Sequence, residues 1–281
     1  MNERMKVIYF GSDVFLPCFD YFLTHHQVTA LYTYHHDEDY MNENVLLRRA
    51  GAAGIPVHYE SITEEQVRRF FLSEGGGLLY SAEYDRLIPT PDDLPGYRGV
   101  NLHSSLLPEG RSYYPIECAM ERTLPRTGLT IHKMTSSLDG GAILKQEAVD
   151  ITPEMDSVDV YLALAAAGRK MTEEIMEDLD AAWENAAPQT EHRPYWKRPA
   201  PEKITLRHSM TREEVRRIFR CYNSLTQVVL SGRLYYIEAL DTGCGPLPEP
   251  ELRLREYRCL YALQDGHARL ILHPKTRGDR R

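Results

Sequence analysis

Three side chains near the middle of this sequence have the types and the spacing to share one piece of acid–base chemistry. Val100-Asn101-Leu102-His103 alternates apolar and polar residues, so a strand would set Asn101 and His103 on one face. Further along, Asp139 precedes Gly140-Gly141 in a loop between two strand-like stretches. A neutral imidazole takes up a proton near neutral pH. A primary amide donates hydrogen bonds to an oxygen that is gaining negative charge. A carboxylate orients an imidazole or stabilises its cation. Taken singly, each residue also has a structural explanation: a strand His is commonly hydrogen-bonded inside a core, and an Asp before glycines commonly makes a turn. Two polar groups on one face at a sheet end are costly, however, unless solvated, hydrogen-bonded or functional. Together the three form a base, an oxyanion donor and a charge partner.

The flanking sequence predicts the elements that must position them. Residues 5–10 have the pattern of a buried strand, 14–24 of a helix, 28–34 of a strand, 42–53 of a helix, 55–59 of a strand and 77–81 of another. Ser61 and Glu64 form a candidate capping box for a helix between the last two. This alternation predicts an α/β fold, a Rossmann-like and mostly parallel sheet. Such sheets bind ligands beyond the carboxyl ends of their strands, which directs attention to the segments after Tyr80 and around 100–103. Gly11-Ser12-Asp13 lacks the G-x-G-x-x-G pattern, so no dinucleotide site is expected at the first turn. Residues 154–184 carry one long helical pattern. The expected organisation is a catalytic domain over 1–186, an extended proline-rich linker over 187–203, and a small C-terminal α+β domain over 204–281. In the last, Thr211 and Glu214 form a capping box. Strand patterns follow at 225–230, 233–240, 257–263 and 267–272, with Ser231-Gly232 and Asp265-Gly266 as tight turns of a barrel-like antiparallel sheet. Residues 275–281 have the composition of a frayed basic end.

Composition narrows the function classes. Of the 281 residues, 42% are hydrophobic and 26% charged, which excludes disorder as the overall state. A net charge of −8 argues against a protein that coats nucleic acid. No run of about 18 apolar residues offers a membrane span, and the first residues lack the apolar stretch of a secretory signal. Cys18, Cys118, Cys221, Cys244 and Cys259 are odd in number and nowhere spaced C-x-x-C, so neither a zinc site nor a disulfide framework is expected. Reduced thiols suit a cytoplasmic protein.

The motif order is itself specific. Asn101-Leu-His103-Ser-Ser105-Leu-Leu-Pro108, followed by Leu138-Asp139-Gly-Gly-Ala-Ile, resembles the folate-dependent formyltransferase family over about residues 5–185. Val7-Ile-Tyr-Phe-Gly-Ser-Asp and Thr127-Gly-Leu-Thr-Ile-His-Lys-Met are similar to that family too. The resemblance implies transfer of a formyl group from N10-formyltetrahydrofolate to an amine, with Asn101, His103 and Asp139 as the catalytic trio. His103 is expected to act as general base, with Asn101 and Asp139 assisting. It also implies that Ser81-Ala-Glu-Tyr-Asp-Arg-Leu-Ile-Pro is the pterin loop, making Tyr84, Arg86, Leu87 and Ile88 the candidate folate contacts, with Leu138 closing the pocket. For Leu87 and Ile88, core packing is the competing explanation.

The acceptor is addressed by the residues after Pro108. Members acting on methionyl-tRNA carry a basic, small-residue run there, whereas this chain has Glu109-Gly-Arg-Ser-Tyr-Tyr-Pro. Glu109 would repel phosphates. Ser105, Arg111, Tyr113 and Tyr114 are the candidate acceptor contacts, although the tyrosines suit a packed turn equally well. Arg212, Arg216, Arg217 and Arg220 form a basic helical stripe, either a solvated face or a phosphate footprint, beside acidic Glu249, Glu251 and Glu256. The run is similar to that of sugar N-formyltransferases, so the expected partner is a nucleotide-linked amino sugar, with nucleic acid and membrane unexpected. Methionyl-tRNA, another small amine, and a catalytically silent folate-binding scaffold are the alternatives. A β-rich tail could also pair edges in a homodimer.

Overall fold

The computed structural model describes residues 4–34, 45–191, 193–255 and 257–274. The basic end 275–281, Glu256 and the first three residues of the helix expected over 42–53 lie outside that set. The chain divides into two compact units. The first comprises residues 1–115, 125–151 and 161–196, and the second 116–124, 152–160 and 197–281.

In chain order the elements are β1 (Lys6–Gly11), α1 (Leu16–His25), β2 (Gln27–Tyr32), α2 (Val45–Ala52), β3 (Val57–His58), α3 (Glu64–Leu72), β4 (Leu78–Ala82), β5 (Gly99–His103), α4 (Pro115–Glu121), β6 (Arg126–Lys133), β7 (Ile143–Asp150), α5 (Ser157–Glu177) and α6 (Leu179–Glu184). After these come α7 (Pro201–Ile204), α8 (Arg212–Tyr222), β8 (Gln227–Leu230), β9 (Arg233–Gly243), β10 (Glu251–Arg255), β11 (Arg258–Leu263) and β12 (Gly266–Pro274).

The first unit is built on one seven-stranded sheet of order β3-β2-β1-β4-β5-β6-β7. The first five strands run parallel, and β6 and β7 extend the edge antiparallel. This is the predicted α/β Rossmann-like, mostly parallel sheet. Residues 7–10 of β1 and 78–80 of β4 are apolar and buried because both faces of the sheet are covered. Tyr9 of β1 and Tyr80 of β4 stack on one face, and Phe19 and Phe22 of α1 meet them. The buried Tyr80 hydroxyl is satisfied by Thr172 of α5 at 2.7 Å. Phe10, Tyr32, Phe70 and Leu79 form a second apolar cluster.

Three local expectations need correction. The capping box of α3 is Thr63 with Gln66, not Ser61 with Glu64. Both pairs fit the pattern, but the later start puts Val67 and Phe70 on the buried face. The long pattern over 154–184 is interrupted at Asp178, whose carboxylate accepts the Ala181 N–H and opens α6. The proline-rich stretch does not behave as an unpacked linker either: Trp196 is 5% exposed, and α7 forms within it at a proline-led start.

The second unit holds an antiparallel sheet of order β10-β11-β12-β9-β8. The Thr211–Glu214 box caps α8 as expected, and Ser231 and Gly232 both take positive φ in the tight turn joining β8 to β9. Val215, Val228, Leu230, Ile237, Leu270 and Leu272 make its core. Strand β10 has no counterpart in the sequence expectations, because its charged residues read as an acidic surface run. Among the described residues no helix is long and apolar enough to cross a membrane.

Candidate active site

The three predicted residues come together at the end of β5. Registration of β5 with β6 sets Asn101 opposite His132 and His103 opposite Thr130. Alternation then turns all four side chains to one face. Asp139 reaches them from the loop between β6 and β7, in a left-handed conformation at φ 49° that Asp tolerates better than most residues. The loop doubles back so tightly that a side chain at Gly141 would strike the Lys133 carbonyl.

The hydrogen bonds assign a tautomer to each imidazole. His103 Nε2 lies 2.8 Å from the Gly110 carbonyl and donates to it. The lone pair of neutral His103 is therefore on Nδ1, which is 3.9 Å from Asp139 Oδ1. His132 Nδ1 donates to the Lys133 carbonyl at 2.9 Å, so its Nε2 accepts from the Asn101 amide at 3.2 Å. Burial pushes the His132 pKa down to about 4, against the opposing pull of Asp139. His132 is thus a neutral acceptor that orients the Asn101 amide. Asp139 is held by the Ser112 N–H on Oδ2 at 2.9 Å, and its Oδ1 lies 3.7 Å from His132 Nε2. His103 and Asp139 are each 8% exposed, so charge placed here is weakly screened.

A second set of contacts steadies the Asp139 loop. Gln189 Nε2 donates to the carbonyls of Asp139 and Gly141 at 2.9 and 2.8 Å, and its Oε1 accepts from Arg111 at 2.8 Å. Trp196 donates its backbone N–H to the Arg111 carbonyl at 3.0 Å and its indole N–H to Glu109 at 3.1 Å. Glu109, expected only as a charge that repels phosphate, is therefore also an anchor for the loop after Pro108.

Four site residues escaped the sequence analysis. His132 had a legible signal, since Thr130-Ile-His132 repeats the alternation of Asn101-Leu-His103. Glu83 lies inside the expected pterin loop but was given no role. Gln189 and Trp196 had no signal, because nothing in a proline-rich stretch marks which residue folds back onto a distant loop.

The other predicted positions divide by surroundings. Tyr84 and Ile88 pack on the Phe10 cluster, with Tyr84 and Phe10 centroids 5.4 Å apart and the buried Tyr84 hydroxyl lacking a hydrogen-bond partner. Arg86 donates to the Tyr59 carbonyl. Leu87 and Leu138 stand exposed, at 79% and 40%. Ser105 is buried and gives its hydroxyl to the Glu109 carbonyl at 2.7 Å, within the turn itself. Arg111 is buried with Nε unpartnered, Tyr113 is exposed, and Tyr114 is half-buried at φ 57°. Among the described residues no His, Cys, Asp and Glu group is arranged to hold a metal ion.

Comparison with known proteins places this geometry. Residues 51–176 match the formyl transferase family. Methionyl-tRNA formyltransferase from Listeria innocua is 27% identical over 217 residues, covering 74% of this chain and 66% of that protein. The chain thus matches less than two thirds of the length of this relative. The fold is similar to that of HypX from Aquifex aeolicus in complex with tetrahydrofolic acid, with a TM-score of 0.68 and 12% identity over 98% of this chain and 45% of HypX. It is also similar to that of the Helicobacter canadensis N-formyltransferase in complex with folinic acid and dTDP-3-aminofucose, with a TM-score of 0.61 and 16% identity over 96% and 100% of the two chains. Asn101, His103 and Asp139 thus gather at one sheet end inside the segment that matches the formyl transferase family.

Proposed function

We propose that this chain transfers the formyl group of N10-formyltetrahydrofolate to the amine of a nucleotide-linked amino sugar. The observation that carries the reading is the grouping of His103, Asp139 and the Asn101 amide at one sheet end, with His103 Nε2 taken by the Gly110 carbonyl and Nδ1 left facing Asp139 at 3.9 Å.

N10-formyltetrahydrofolate supplies the formyl group and leaves as tetrahydrofolate. The residues suit that molecule: Leu87 and Leu138 offer exposed apolar surface to a flat ring, and the Tyr84 hydroxyl and Arg111 Nε are buried polar groups awaiting partners. His103 Nδ1 takes a proton from the attacking amine. Asp139 stabilises the imidazolium so formed. The Asn101 amide, oriented by His132, donates to the carbonyl oxygen as that oxygen gains charge. His103 then returns its proton to the departing nitrogen. Over the cycle one N–C bond forms and one breaks, and the ammonium form of the acceptor has released one proton to solvent.

The sugar reading rests on what surrounds the trio. Glu109 places a carboxylate after Pro108. In the second unit three arginines of the basic stripe are engaged within that unit. Arg212 pairs with Asp265 at 3.3 Å, Arg216 donates to Thr242 at 2.8 Å, and Arg220 donates to the carbonyls of Thr152 and Met155 at 2.8 and 2.7 Å. A polyanion footprint needs free cations. The end-to-end likeness to the Helicobacter canadensis enzyme supports the same acceptor class. Methionyl-tRNA is the second reading, favoured by the Listeria innocua relative. The deciding assay offers N10-formyltetrahydrofolate with either amino-sugar nucleotides or charged initiator tRNA. Turnover in the sugar pool alone is expected; turnover with tRNA alone would overturn the acceptor assignment.

A further inference from the structure

One carboxylate at the site has no part in the proton relay described above. Glu83 immediately follows β4. That strand ends at Ala82, in register with Gly11 of β1 and Leu102 of β5. The next residues along the chain, Ser12, Glu83 and His103, therefore leave the sheet at the same end. Glu83 adopts φ 58°, a left-handed conformation unfavourable for Glu. Such strain at a strand end beside reactive groups persists only where the surroundings hold it.

The groups facing Glu83 make a polar row. His103 and Asp139 interact with its carboxyl through charge, and the buried Ser104 side chain lies against it. On the side of β1 and β2, Tyr34 couples to Glu83 and Tyr114 and lies against the Ser12 hydroxyl. Burial raises the Glu83 pKa, and His103 and Ser104 draw it back down. Two carboxylates, Glu83 and Asp139, thus share the sheet end with His103 where solvent access is limited, an arrangement that disfavours both being charged unless a cation joins them. Amines in neutral water arrive as ammonium ions.

We infer that Glu83 docks the ammonium group of the acceptor beside His103, with Ser12, Tyr34 and Ser104 providing hydrogen bonds to neighbouring hydroxyl groups of the same molecule. Glu83 accepts one N–H of the ammonium and leaves another directed at His103 Nδ1. This selects amines over the corresponding alcohols, because an alcohol brings no charge to balance the pair. The assignment rests on the formyl-transfer reading but does not depend on which amine is the acceptor.

The test compares wild type with Glu83→Gln and Glu83→Asp in formyl transfer to three pools: dTDP-3-aminofucose and related amino-sugar nucleotides, charged initiator tRNA, and free amino acids. Loss of one charged hydrogen bond predicts an acceptor KM raised about 10- to 100-fold in Glu83→Gln. The KM for N10-formyltetrahydrofolate should stay unchanged, and Glu83→Asp should recover part of the loss. Tetrahydrofolate binding and thermal melting monitor folding. If Glu83→Gln does not fold, Glu83→Asn, which suits the left-handed backbone, replaces it. An unchanged acceptor KM, or equal losses for acceptor and folate, overturns the assignment. Use of a non-sugar amine, with its KM still raised by Glu83→Gln, keeps Glu83 in place and overturns only the sugar reading. Absence of turnover in all three pools overturns both.

Discussion

At the scale of single residues, like groups have unlike surroundings. His103 and His132 are both imidazoles at one sheet end, yet one donates through Nε2 and the other through Nδ1. His103 therefore leaves Nδ1 facing Asp139, while His132 turns Nε2 to Asn101. On the proposed mechanism, removing His103 or Asp139 should affect the transition state far more than the fold. His103→Ala and Asp139→Asn are each expected to lower kcat about 10²-fold or more, with cooperative melting retained. Steady-state kinetics beside thermal denaturation checks this, and near-normal turnover in both variants would remove the trio from the mechanism. His132 makes a separate prediction about pH. Its folded pKa, about 4, lies below the ordinary 6.5. The unfolded chain therefore binds the extra proton first as pH falls. The stability contributed by neutral His132 is present above about pH 6.5 and is lost between there and about pH 4. The loss should be on the order of 3 kcal/mol, the roughly 2.5-unit difference converted at about 1.4 kcal/mol per unit. Denaturant midpoints across that window should fall less steeply in His132→Gln than in wild type.

At the scale of elements, strands place the trio and loops complete it. β5 and β6 carry Asn101, His103 and His132 through simple alternation, so these positions follow from pleating alone. Asp139 instead depends on a loop tied down by Ser112, Gln189 and the close approach of Gly141. The segment around Trp196 is part of that support, since it bonds to both Glu109 and Arg111. Trp196→Ala should cost about 3–5 kcal/mol through lost burial. Trp196→Phe should keep most of the burial, lose about 1 kcal/mol with the indole hydrogen bond, and lower turnover as residues 109–112 loosen. Equal activity of Trp196→Phe and wild type would show that the anchor is not needed for catalysis.

At the scale of the whole molecule, charge decides which acceptors are compatible. The chain carries a net −8, and its clearest basic helix face is bonded within its own unit. On the proposed reading the acceptor brings only a diphosphate, so transfer should depend weakly on salt. Between about 50 and 200 mM salt, kcat/KM for the acceptor should change by less than about tenfold, against the roughly 10³- to 10⁵-fold loss of a protein gripping many phosphates. A steep salt slope would point to a polyanionic acceptor, and Arg217 of α8 would be the first side chain to substitute.

The sequence by itself determined the α/β sheet, the capped helix and antiparallel strands of the second unit, and the pairing of Asn101 with His103. Each of these is carried by local periodicity or by cap and turn residues only a few positions apart. It also located Asp139 in its loop before the glycines. Tertiary structure alone decided the rest. Which of two overlapping boxes caps α3 depended on the face that Val67 and Phe70 could bury. Which nitrogen of His103 is free depended on the Gly110 carbonyl across a turn. The roles of Gln189 and Trp196 depended on a proline-rich stretch folding back, across 50 residues of chain to Asp139 for Gln189 and across 87 to Glu109 for Trp196. Contacts of that kind arise from packing between distant segments, and no local pattern encodes them.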